Sequence, residues 1–177
     1  MLRPALFALV LAPSAAFAVG SGSEEPPKPT PTTTECPAGQ VWDTETRACV
    51  ASSSSLIDDD IRYEAVRELA YAGRHEAAYR VLATMTDQTE SRVQTYHGFL
   101  DRVTGDHEAA LAHYAAALAA DPGNNLARSY LGQAHVAAGD YLAARVELLA
   151  IREHGGAGSW AEVALAEAIR TGKGTAY

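Results

Sequence analysis

One pattern recurs along this chain at a fixed spacing of 34 residues. Aligning Gly98 with Gly132 also superposes Gly105-Asp106 on Gly139-Asp140 and Ala110 on Ala144. A period of that length carrying two helical hydrophobic patterns marks a helix-pair repeat. Such a unit cannot bury its own apolar face, so the chain has to stack units side by side. An earlier copy is degraded: Gly73, Glu76 and Ala78 stand 32 residues before Gly105, Glu108 and Ala110. The shorter offset predicts a trimmed connection around 86–90.

The pattern predicts helix pairs over 59–72 and 75–86, 91–104 and 107–120, and 125–138 and 141–153. Gly105-Asp106 and Gly139-Asp140 each close one helix and cap the next, because Gly accepts the left-handed closing conformation and Asp accepts free N–H groups. Asp121-Pro122-Gly123-Asn124 interrupts the chain between units. Ser159-Trp160-Ala161-Glu162 opens a last helix with a capping-box arrangement, running to about Thr171 and covering the third unit. The acids Asp58, Asp59 and Asp60 suit the dipole of the first helix, and they lack the alternation of a calcium loop. A Gly inside a helix costs about 1 kcal/mol relative to Ala, so Gly98 and Gly132 need a packing reason. Gly98 facing Ala110, and Gly132 facing Ala144, would let helix backbones approach closely. Tyr114, Leu118, Leu131, Ala134, Leu148 and Ile151 would then fill the larger gaps.

Gly98, Gly105, Asp106, Ala110, Tyr114, Ala117, Leu118, Asp121 and Pro122 together resemble the tetratricopeptide-repeat signature. The resemblance implies an all-α fold: a short α-solenoid of about three helix pairs over 59–171 with a C-terminal capping helix, then a tail at 172–177. The chain departs from the pattern at Arg62, Gln94 and Arg128, where the family favours an aromatic residue, and at Val66, which replaces the glycine. The family's concave face is lined by first helices and receives an extended peptide or a partner helix. Alignment carries those places onto Asp60, Val103 and Val136 and onto a candidate peptide-binding set. That set is Tyr63, Arg67, Tyr71, Arg92, Thr95, Phe99, Arg102, Ser129 and Gln133. Arg67, Arg92 and Arg102 would concentrate positive charge beside Tyr63, Tyr71 and Phe99, which suits an acidic or carboxylate-bearing peptide. The same arginines could instead pair with acids on neighbouring helices, such as Glu64, Glu68 or Asp101.

The chain before residue 59 has a different composition. Residues 1–18, MLRPALFALVLAPSAAFA, read as a secretory signal with Arg3, a short apolar run broken by Pro13, and a small-x-small cleavage site. Export to the periplasm or outside the cell is therefore expected. Residues 19–35, rich in Pro, Thr, Ser and Glu, are expected to be a disordered linker. Two cysteines in an exported chain are expected to pair. Cys36 and Cys49 would close a hairpin over 36–50, with Gln40-Val41-Trp42 as strand and Asp43-Thr44-Glu45-Thr46 as turn. This segment resembles a hairpin of peritrophin-type chitin-binding modules, from Cys36 to Cys49, and implies Trp42 as a glycan contact. Residues 51–58 read as a second linker.

Charge and motif content exclude several function classes. With a net charge of −8 and lysine only at 28 and 173, the chain is a poor binder of phosphate backbones. The histidines at 75, 97, 107, 113, 135 and 154 form no metal-ligand spacing, and both cysteines are committed to the hairpin. No catalytic motif, metal site or cofactor loop is present in the sequence, and no membrane span is expected in the mature chain. The reading is a non-enzymatic, exported adaptor that binds a protein or peptide. The alternatives are a glycan-associated protein using the hairpin, or an accessory subunit of an envelope complex.

Overall fold

The computed structural model describes residues 25–174. The expected signal at 1–18, residues 19–24 of the first linker and residues 175–177 lie outside the described residues. The described chain runs α1 (Pro31–Thr34), β1 (Gln40–Asp43), β2 (Ala48–Ala51) and α2 (Asp59–Tyr71). It continues with α3 (His75–Leu82), α4 (Ser91–Thr104), α5 (His107–Ala120) and α6 (Asn125–Ala137). The last elements are α7 (Tyr141–Glu153) and α8 (Trp160–Thr171). Helices α2 and α3, α4 and α5, and α6 and α7 pack as pairs, and α8 packs on both α6 and α7. The expected all-α solenoid with a capping helix, preceded by a disulfide-closed hairpin, is the observed architecture.

Caps set the helix boundaries. Asp58, Asp106, Asn124, Asp140 and Ser159 each accept a backbone N–H three residues ahead, filling one of the donors that a helix start leaves free. One expectation was too long: α3 ends at Leu82 rather than 86. The Gln88 side-chain amide donates to the carbonyls of Leu82 (3.1 Å) and Met85 (2.7 Å), and the Thr84 hydroxyl donates to the Val81 carbonyl (2.7 Å). These bonds satisfy the last carbonyls without another helical turn.

The three departures at the aromatic position of the repeat signature share one task. Arg62 donates to the carbonyls of Ser52 (2.7 Å) and Ser54 (2.8 Å). Gln94 donates to the Gln88 carbonyl (2.6 Å), and Arg128 to the Pro122 carbonyl (2.9 Å). Each polar side chain therefore ties its first helix to the connection that precedes it.

Close packing depends on the helical glycines, though not in both places as expected. A Cβ at Gly98 would stand 2.7 Å from Tyr114 Cε1 and 3.1 Å from the Ala110 carbonyl oxygen, so α4 and α5 meet as predicted. At Gly132 the space belongs to Leu165 of α8, whose methyl carbons lie 2.6 Å from the same construction. Gly132 is the seat of the capping helix rather than a partner of Ala144. Tyr96, Phe99, Tyr114 and Tyr130 are fully buried and join Val66, Leu69, Leu82 and Val93 in one continuous core.

The N-terminal part is tied to this core. In the hairpin, Trp42 pairs with Cys49 in register, and the Cys36–Cys49 disulfide is formed with a Cα–Cα distance of 5.6 Å. Asp43 builds the turn by accepting from the N–H groups of Glu45 and Thr46 and from the Thr46 hydroxyl (2.5 Å). Val41 is buried in the same core as the helices. Residues 30–35 differ from the free linker expected there: Glu68 accepts four hydrogen bonds from Thr30 and Thr33. At the opposite end of α1, Arg74 donates to the carbonyls of Thr32, Thr33 and Cys36. An acid thus meets the N–H end of the short helix and a base its carbonyl end, as helix polarity favours. Residues 51–58 are pinned likewise, with Ser52 and Ile57 buried. Among the described residues, no helix is long and apolar enough to cross a membrane.

Candidate functional site

The first helices of the units, α2, α4 and α6, carry the nine candidate residues, and the structure divides them sharply. Tyr63, Thr95, Phe99, Ser129 and Gln133 are buried. Tyr63 stacks edge-on against Tyr96 at 5.5 Å, and Phe99 lies 5.2 Å from the Tyr130 ring. Thr95 accepts from the Asn124 amide (3.0 Å), and Ser129 accepts from Gln133 (3.3 Å). These five do not form an open lining: Tyr63 and Phe99 belong to the core, and the polar three bond within or between first helices. Tyr71, Arg92 and Arg102 remain partly accessible.

The arginines do not act alike. Arg67 is buried, with Nη1 on the Glu64 carboxylate (2.8 Å) and Nη2 donating to the backbone carbonyl of Glu25 (2.5 Å). Arg92 pairs with Asp60 (2.5 Å) and Glu90 (2.6 Å) and lies 5.0 Å over the Tyr63 ring. Burial opposes its charge, and the Asp60 hydrogen bond and Glu90 charge more than offset this, holding its pKa above the usual value. Arg102 lies 5.5 Å over the Phe99 ring. The expected pairing with neighbouring acids therefore holds for Arg67 through Glu64, while Arg92 uses Asp60 and Glu90. Burial also lifts the Tyr63 and Tyr71 hydroxyls well above the ordinary phenol range, and Tyr114 is pushed up to about 12. All three are neutral at physiological pH.

Two features escaped the sequence reading. A run of aromatic rings continues from Tyr63 through Tyr96 to Tyr130 and Trp160, and Trp160 also meets Tyr71 at 6.4 Å. The 34-residue spacing of Tyr96 and Tyr130 was a signal for it. The other feature is that the chain's own segments lie on candidate residues: Glu25 on Arg67, and Gly174 beside Arg102 and Gln133.

Trp42 stands apart from this face. It is partly exposed and lines a cleft of about 340 Å3 between the hairpin and α2, with Thr44, Asp58, Ile61 and Glu64. Between α4 and α5, His97 and His113 stack at 5.1 Å. His97 bonds to the Gln88 amide oxygen (3.0 Å), and His113 bonds to Gln94 (2.7 Å) and faces Asp101 at 3.4 Å. Burial, then the neighbouring His113, holds the His97 pKa down to about 4.

Comparison with curated proteins and with solved structures returns no significant match. A family model does match: residues 104–168 fit the tetratricopeptide repeat, from the last residue of α4 into α8. That stretch holds the Gly-Asp junctions, the glycine seat of α8 and the helix pair that the 34-residue period marks out. Residues 104–168 are thus tetratricopeptide-repeat sequence, and α2 and α3 pack as a pair before them in the same way as α4 with α5 and α6 with α7.

Proposed function

We propose that the protein is a non-enzymatic adaptor that receives an extended, carboxylate-bearing segment of another protein along the concave rim of the stack. The observation that supports this reading is the Arg67 guanidinium. It donates to a backbone carbonyl at Glu25, 42 residues away, so the face already holds a chain segment by its main-chain oxygen. Arg102 adds positive charge on α4, where Arg92 is paired with Asp60 and Glu90, and Tyr71 is an aromatic contact. Guanidinium groups bind carbonyl and carboxylate oxygens in a fixed fork, and aromatic side chains supply anchoring area at low entropy cost. Work outside the cytoplasm is part of the proposal, and the Cys36–Cys49 disulfide is compatible with it.

The test is binding of an acidic peptide library to wild type, Arg102→Ala and Arg67→Ala. Loss of about fivefold or more in affinity on either substitution supports the rim; unchanged affinity in both removes it. A second reading attaches to the cleft beside Trp42, where a partly exposed indole and nearby carboxylates suit a sugar ring. Retention on a chitin-like polysaccharide that disappears in Trp42→Ala would move the function there.

A further inference from the structure

We propose that the outer face of α7 docks an amphipathic helix of a partner protein, one that carries an acidic residue opposite Arg145. This surface lies on a second helix of the stack, apart from the rim formed by the first helices, and does not rest on the rim reading. The inner side of α7 is committed to the fold: Ala144 and Ile151 are fully buried, and the helix packs on α6 and α8. On its other side Leu142, Val146 and Leu149 are 75%, 57% and 54% exposed. Their spacing of four and then three residues aligns them as one stripe about 10 Å long. Single exposed apolar residues are ordinary on a protein surface, whereas an aligned apolar patch with a polar border marks a contact surface. Four-and-three spacing is also the seam through which one helix receives the side chains of another.

The borders of the stripe define which helix fits. On a helical projection Ala143 and Ala150 fall along one side of it, and Arg145 and Arg152 along the other. The alanines leave room for a partner backbone to come close, and the arginines set a positive edge. Arg152 is engaged by Glu162 of α8, whereas Arg145 is exposed and makes no ion pair among the described residues. A second copy of this chain does not satisfy that edge. An antiparallel two-fold pairing would set Arg145 beside its own copy, and a parallel one would set it against the alanine side. An acid on a different helix would instead meet Arg145 at the border of the apolar contact, where charge selects the partner more than it adds affinity. The occupant is therefore an amphipathic helix with apolar residues at seam spacing and Asp or Glu along one flank.

The experiment selects a display library of helical peptides against the protein, with apolar residues fixed at seam spacing and the flanking positions randomised. Selected peptides should carry Asp or Glu along one flank. By fluorescence anisotropy they should bind about tenfold or more weakly to the double variant Leu142→Ser with Leu149→Ser. Both positions are exposed, so circular dichroism of that variant should match wild type. In Arg145→Ala the affinity should fall about twofold to fivefold, and the preference for acidic over neutral flanks should vanish. Failure to select any binder, or binding that ignores the two leucine substitutions, overturns the proposal. An acidic preference that survives Arg145→Ala overturns it too. Sedimentation that shows a dimer of the wild type, abolished in the leucine variant, gives this face to a second copy and overturns the partner helix. None of these outcomes bears on the rim, which is read from Arg67→Ala and Arg102→Ala.

Discussion

The carboxylate of Glu68 receives both the backbone N–H and the hydroxyl of Thr30, each at 2.6 Å, across 38 residues of sequence. Thr33 supplies two more donors to the same group. Through these bonds the segment before the hairpin becomes part of the first unit, and the hairpin is held against α2.

Glu68→Ala should therefore loosen the N-terminal segment without unfolding the stack. Hydrogen bonds to a charged group contribute about 1.5–3 kcal/mol each before local relaxation, so a loss of about 2–3 kcal/mol is expected. Urea unfolding measures it, and limited proteolysis should show new cleavage between residues 26 and 36. Protection equal to wild type would mean that the segment is held by something else.

Gly98→Ala tests the approach of α4 to α5. The added methyl would lie 2.7 Å from a buried tyrosine ring and 3.1 Å from a backbone oxygen, and backbone cannot step aside cheaply. The gain in helix propensity, about 1 kcal/mol, opposes an overpacking cost of about 1–3 kcal/mol. A net loss of about 1 kcal/mol or more is expected at Gly98, read from the denaturant midpoint.

Gly132→Ala should couple to Leu165, since the two positions compete for one space between α6 and α8. In a double-mutant cycle with Leu165→Ala, the pair should cost less than the sum of the single changes, by about 1 kcal/mol. Additive costs would show that α8 is not seated on Gly132.

The stacked histidines predict an acid-sensitive second unit. The folded His97 titrates near 4, against 6.5 for the free side chain, so between these values the unfolded chain binds the proton and the folded one does not. Stability is fully present above about pH 6.5 and is lost as the pH falls towards about 4. The groups facing the pair are Gln88, Gln94, Asp101 and Tyr79. The loss at His97, reduced by its partial exposure, is on the order of 2–3 kcal/mol. Denaturant midpoints measured across this range for wild type and His97→Gln should converge in acid; parallel curves would remove the assignment.

Replacing Cys36 and Cys49 by Ser removes a constraint that stabilises the short loop by about 3 kcal/mol. The hairpin should come away from α2, taking the buried Val41 with it. Far-UV circular dichroism should keep its helical signal, because α2 to α8 do not depend on the crosslink. A collapse of that signal would make the hairpin part of the folding core.

The helix positions and their junctions were legible because they answer to local rules. Gly105-Asp106 and Gly139-Asp140 act through their own backbone and the next three N–H groups, and period 34 repeats that local instruction. The candidate site was legible only as positions on a face. Alignment placed Tyr63, Thr95, Phe99, Ser129 and Gln133 on the concave side, but it carries no information on how tightly successive units close. Six of the nine, these five and Arg67, are buried, and the rings of Tyr96, Tyr130 and Trp160 fill the space between first helices.

From sequence alone came what neighbouring residues settle among themselves: helix starts and stops, the disulfide-closed turn, and the need to stack units. Tertiary structure alone decided which glycine seats which helix, that Glu68 and Arg74 hold the segment before the hairpin, and which arginines are already engaged. The physical reason is range. Caps and turns are satisfied within a few residues, whereas burial, ion pairing and main-chain contacts depend on groups that meet only after the whole chain has packed.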